Sequence, residues 1–363
     1  FILDDIIIPI LPLKNLSLLH IAAASDSFEC FCLLNEGNYG LTLDIKTDRG
    51  YLPLHYACLR GSREIVTYIL YKDKKQAKVL ESTINDCSLI YLATCGGDYT
   101  ILRALFNHGA RIADIRNKHS YDPIEHAVSR GNIKCLLELF QHHSKKNLQP
   151  YTLLAVAQHQ IDALLQLVRD YEDINYFNDH HDSVISLLSC EVYKAPKYRD
   201  ALIYILKICG RNRIEPPDSV MCDGVSHWIC QTCDMEIARL MMETDGVNIN
   251  RLNENGHLGL IYLIDRDERI ADEQIIQIID FFFEQPGFHV NTCLDSDHST
   301  ILGDFVRSIK PRPRVIKYLL ERGADPNSKL GGSTATILDF ITHQAKNKEL
   351  IETFYGFGID PPQ

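Results

Sequence analysis

Apolar positions along the chain recur at helical spacing in short blocks, as in Ile65-Val66-Tyr68-Ile69-Leu70, Ile101-Leu102-Leu105-Phe106 and Ile133-Leu136-Leu137-Leu139-Phe140. That period predicts amphipathic helices with one face to bury. Each block is preceded by a Gly that closes a shorter helix: Gly61, Gly97 and Gly131 follow Ala57, Ala93 and Ala127. After the second helix come turn-forming runs such as Gly109-Ala110-Arg111, Gly246-Val247-Asn248-Ile249-Asn250 and Gly287-Phe288-His289-Val290-Asn291. The unit is therefore helix, tight turn, helix, loop.

The unit repeats. Leu19-His20-Ile21-Ala22 lines up with Leu54-His55-Tyr56-Ala57, an offset of 55 − 20 = 35 residues, and Gly323-Ala324-Asp325-Pro326 returns as Gly358-Ile359-Asp360-Pro361. A helix pair of this size cannot bury its apolar face alone, so consecutive pairs are expected to stack into a solenoid. About ten units are expected, beginning near Leu16, Asp48, Asn85, Asn117, Gln149, His180, Asp223, Asn255, Ser299 and Gly332. Residues 1–15 read as a cap or the tail of an upstream unit. The clearest repeats span 16–148, degenerate ones with longer loops 149–254, and a C-terminal set 255–363. Cys190 to Asp200, with Pro196, reads as a longer inter-helix loop, and Asn212 to Cys222 as a longer loop after the second helix.

Asp48-Arg49-Gly50-Tyr51-Leu52-Pro53-Leu54-His55-Tyr56-Ala57 resembles the signature of the ankyrin repeat family. Asp122-Pro123-Ile124-Glu125-His126-Ala127 and the run at 319–327 are similar to further parts of that pattern. The resemblance implies an all-α architecture of paired helices with short hairpin fingers. It also implies that the signature histidines His20, His55 and His227 bond neighbouring backbone and tie units together. A Pro opening the first helix suits the physics, because it needs no amide donor there.

Composition narrows the function. With 37 Lys+Arg against 48 Asp+Glu the net charge is −11, too acidic for a general nucleic-acid binder. Hydrophobic residues make up 45%, enough for a sizeable core, and no run is long enough to span a membrane. Twelve scattered cysteines, several inside apolar helices, and the lack of a basic stretch before the apolar start point to an intracellular protein, cytoplasmic or cytoskeletal.

Candidate chemistry is sparse. Cys222, His227, Cys230 and Cys233 are three thiols and an imidazole that could satisfy tetrahedral zinc. However, His227 and Cys230 align with His55 and Cys58, and Cys233 replaces Gly61, so no metal is expected. The pairs His142-His143 and His180-His181 lack metalloprotease spacing. Cys95-Gly96-Gly97 aligns with a helix end and has no base. No phosphate loop, dinucleotide fingerprint or nucleophile elbow is present, so no cofactor and no catalysis are expected. The basic run Lys310-Pro311-Arg312-Pro313-Arg314 offers charge for an acidic protein surface.

The resemblance implies protein recognition. The residues after the signature His (Ile21, Tyr56, Leu92, His126, Val156, Trp228) and those directly before the inter-helix Gly (Arg60, Arg130) are expected to line a concave face. Of these, Tyr56, Arg60, His126, Arg130 and Trp228 are the candidate anchors. Finger residues Arg49, Arg116 and Lys118, with Asn253 and Glu254, form a second candidate surface. The expected function is a non-catalytic scaffold or adaptor for protein partners. Two rivals are a component of a large cytoskeletal or axonemal assembly and the substrate-recognition part of an enzyme whose catalytic domain lies outside the chain.

Overall fold

The computed structural model describes residues 16–72, 83–84, 87–112, 122–143, 148–169, 176–216, 222–264, 270–295, 298–331, 335–343 and 348–357. These residues are helical, with one two-stranded hairpin. They divide into two units between residues 172 and 173.

In the first unit the short first helices are α1 (Leu18–Ala24), α3 (Pro53–Arg60), α5 (Leu89–Gly96), α7 (Pro123–Ser129) and α9 (Gln149–Ala157). Their returning partners are α2 (Phe28–Glu36), α4 (Arg63–Lys72), α6 (Tyr99–Asn107), α8 (Ile133–His142) and α10 (Ile161–Arg169). Each first helix packs on the next, α1 on α3 on α5 on α7 on α9, and each returning helix does likewise. The core lies between these two layers. Leu54, Ile65, Ile69, Leu102, Leu105, Leu136 and Leu164 are fully enclosed there. Each contributes roughly 1.5–3 kcal/mol by leaving water.

Spacing in the first layer is tight. A Cβ placed on Gly96, at the end of α5, would lie 2.3 Å from the Cys58 carbonyl oxygen of α3. Only hydrogen fits, so this residue sets how closely the two helices approach. Between stacked pairs, strand β1 (Thr83–Ile84) pairs antiparallel with β2 (Cys87–Ser88), the kind of finger that the resemblance implies.

The second unit keeps the two layers. Its first layer runs α11 (Val184–Glu191), α13 (Val225–Thr232), a 3-10 turn (Gly259–Leu263), α16 (Ile301–Arg307) and α18 (Ile337–His343). Its second layer is α12 (Pro196–Cys209), α14 (Met235–Met242), α15 (Asp272–Phe283), α17 (Pro313–Glu321) and α19 (Lys348–Tyr355). Two expectations need correcting. Pro196 is the first residue of the fourteen-residue α12, so the interval after α11 is a short turn rather than a long loop. After Asn255, where a first helix was expected, the chain makes only five residues of 3-10 helix.

Of the three signature histidines, His20 and His227 fasten one repeat to the next. In His20, His55 and His227 the Nδ1 atom accepts the backbone N–H three residues earlier, from Ser17 (3.2 Å), Leu52 (3.1 Å) and Gly224 (3.1 Å). That fixes the proton on Nε2. The Nε2–H of His20 then donates to the Tyr51 carbonyl at 3.0 Å, and that of His227 to the His257 carbonyl at 3.0 Å. In His20 and His227 one side chain thus starts its own helix and holds the next unit's finger, whereas the buried Nε2 of His55 has no hydrogen-bond partner among the described residues. Burial keeps all three rings neutral by lowering their pKa, in His55 to about 4.

Candidate functional site

The placement of the candidate anchors differs from expectation at the residue after the signature His. Tyr56 is 3% exposed, His126 6% and Trp228 1%, and Leu92 and Val156 are also enclosed. The reason is the close stacking of first helices: the residue after the His turns toward the preceding helix instead of the open face. Tyr56 meets His20 edge-on at 5.3 Å, and His126 meets Tyr91 in the same way at 5.5 Å. Burial pushes the Tyr56 phenol up to about 12. Ile21, on the first described helix, is 48% exposed.

The position before the inter-helix Gly does face solvent. Arg60 ends α3 and Arg130 follows α7. Both are exposed, and neither pairs with any described residue. Because α3, α5 and α7 stack in order, Arg60 and Arg130 occupy the same C-terminal position on two helices of the first layer, with α5 between them. Arg49 is exposed in the finger turn closed by Thr47 N–H to the Tyr51 carbonyl, 2.9 Å. Arg116 and Lys118 lie outside the described residues.

In the second unit two fingers share one construction. Asn178 N–H donates to the Asp182 carbonyl at 3.0 Å, and Asn253 N–H to the His257 carbonyl at 3.0 Å. In each, the Asn side-chain oxygen accepts two further backbone N–H groups, from His180 and Asp182 in one and from Asn255 and His257 in the other. This self-bonding is why Asn is used at such turns. His181 adopts the left-handed conformation (φ 63°) that Gly256 takes at the matching place (φ 72°).

Between these fingers and the helices α11 and α13 lies a cavity of about 250 Å³. Asp223, two residues before α13, lines it. Its Oδ2 accepts from Gln231 Nε2 (3.2 Å) and the Tyr262 hydroxyl (2.8 Å), and its Oδ1 from Asn253 Nδ2 (3.1 Å). Trp228 and Leu187 give the cavity an apolar wall, and Asp182 and Glu254 add carboxylates. Behind it, Arg251 donates to the Cys222 carbonyl (3.2 Å), the Pro216 carbonyl (3.0 Å) and the buried Glu215 carboxylate (3.2 Å), which fixes the segment that carries Asp223.

The thiol and imidazole cluster is not assembled. His227 uses both ring nitrogens on backbone, and the Cys233 thiol donates to the Cys230 carbonyl at 3.2 Å. Among the described residues no three His, Cys, Asp or Glu side chains converge in a metal-binding arrangement. Cys95 is half-buried, and its thiol is pushed up to about 12 by burial, which disfavours the nucleophilic thiolate. The basic run at 310–314 is partly used within the fold: Arg312 donates to the Ile270 carbonyl (2.9 Å) and to Asp272 (2.6 Å), and Arg314 pairs with Glu273 (2.8 Å). No helix of the described residues is long and apolar enough to cross a membrane.

Sequence reasoning missed Asp223, Gln231 and Tyr262. A polar residue two positions ahead of a first helix was the only signal, and it reads as an ordinary cap.

Residues 5–82 match a family model described as ankyrin repeats in three copies. Ankyrin repeat protein nuc-2 of Neurospora crassa is 31% identical over 106 residues, which cover 29% of this chain and 10% of that protein. The match thus spans about a tenth of that relative's length. The crystal structure of the human ASB11 ankyrin repeat domain aligns with a TM-score of 0.43 and 18% identity, over 75% of this chain and 100% of that one.

Proposed function

We propose, from the premise that this is an ankyrin-repeat protein, that the chain is a non-catalytic recognition module that gathers partner proteins on its first-helix layer and fingers. Ankyrin repeats in general mediate protein–protein interaction. The observation that carries the reading here is the pair of exposed arginines, Arg60 and Arg130, at matching ends of stacked first-layer helices and without partners among the described residues. Arg combines a flat cation with five donors, and it is enriched among the residues that dominate binding energy. The finer role is an adaptor or scaffold.

Crosslinking mass spectrometry in the native cell tests this, comparing wild type with Arg60→Glu plus Arg130→Glu. Both sites are exposed, so folding should be unaffected and circular dichroism should be unchanged. Loss of specific crosslinked proteins in the variant supports the reading. An unchanged crosslink profile would remove it.

A further inference from the structure

The cavity at Asp223 has a size, a charge and a wall that together select its occupant. Its volume of about 250 Å³ lies below the ~300–1,000 Å³ usual for small-molecule sites, but it admits the end of one side chain. The lining includes three carboxylates, Asp182, Asp223 and Glu254, with His180 and His181 and no Lys or Arg among the described residues. Arg251, close behind, is already paired with Glu215.

Asp223 is the organised member. An ionised carboxylate has about four acceptor positions, and Gln231, Tyr262 and Asn253 take three of them. All three donors are neutral, so they orient the carboxylate without cancelling its charge. One acceptor position on Oδ1 remains. Beside it, the half-buried Leu187 offers apolar contact for an aliphatic stem, with the enclosed Trp228 behind it. An anion would meet three like charges, and an apolar group would strip water from the carboxylates without replacing it.

We propose that this cavity receives one basic side chain, an arginine or a lysine, from a partner protein. The inference rests on the recognition role above and narrows it to the chemistry of one anchor. The chain contains a single tryptophan, so Trp228 fluorescence and its indole N–H resonance report on this cavity directly.

The full chain is titrated with acetylated, amidated pentapeptides that carry Arg, Lys, Glu or Leu between two glycines on each side. The Arg and Lys peptides should shift the Trp228 signal saturably. Removing two rim charges in Asp182→Asn plus Glu254→Gln leaves the Asp223 contacts in place and should weaken that binding by ~5-fold or more, as about 1 kcal/mol of lost attraction would. Asp223→Asn should weaken it further. Silence with the Arg and Lys peptides, an equal response to Glu or Leu, or an affinity unchanged in the rim variant would each overturn the proposal. The rim variant is also crosslinked in the native cell beside wild type. Wild-type partners retained in full by the rim variant sink the basic anchor and spare the recognition role, whereas a wild type without specific partners sinks both.

Discussion

His55 is fully enclosed, and burial holds its pKa near 4 against about 6.5 for a free imidazole. The unfolded chain therefore takes up the proton first as pH falls. Stability is complete above about 6.5 and declines as pH drops toward the folded value. His20 and His227 shift in the same direction. Burial of His55 should thus lower the stability read by urea unfolding by about 2 kcal/mol at pH 5 relative to pH 7.5, and His55→Asn should remove that part of the dependence while lowering stability overall. A second residue-scale prediction concerns Arg251. Its removal leaves Glu215 buried without its cation, so Arg251→Ala should cost about 3 kcal/mol in urea unfolding.

The histidine role was legible through the repeat offset, because it depends on position within one unit. The inward turn of Tyr56, His126 and Trp228 was not, because it depends on how near the preceding helix stands. The Asp223 site was hidden for a similar reason: its donors lie 8, 30 and 39 residues away and meet only after stacking.

Among the elements, α3 and α5 approach as closely as Gly96 permits. Gly96→Ala would favour the helix by about 1 kcal/mol of propensity but drive a methyl into the Cys58 carbonyl. The clash should dominate, with a net loss of about 1–3 kcal/mol measurable in the thermal or urea midpoint. Leu102→Ala, which empties a fully enclosed site between the layers, should cost about 2–5 kcal/mol by comparison. Helix pairing was readable from the sequence wherever Ala-x-x-x-Gly recurred. It failed after Asn255, because Leu258-Gly259-Leu260 keeps the apolar positions while Gly259 weakens the helix, and a 3-10 turn results. Pro196 was likewise read as a loop residue, although Pro is well suited to the first turn of a helix.

For the whole molecule, each unit has the same logic: a second layer that closes the core and a first layer whose ends and fingers remain available. Arg49, Arg60 and Arg130 in one unit and the acidic cavity in the other offer opposite charge, so partners of different chemistry are expected on the two. Arg60→Glu plus Arg130→Glu should leave the unfolding free energy measured in urea within about 0.5 kcal/mol of wild type and act on binding alone.

The most direct measurement is hydrogen–deuterium exchange on the full chain, alone and with a partner recovered by crosslinking. Protection should fall on the ends of α3 and α7, the fingers, and the segments around Asp182, Asp223 and Glu254. Protection confined to the second layer, α4, α6 and α8 or α12, α14 and α17, would contradict recognition through the first layer.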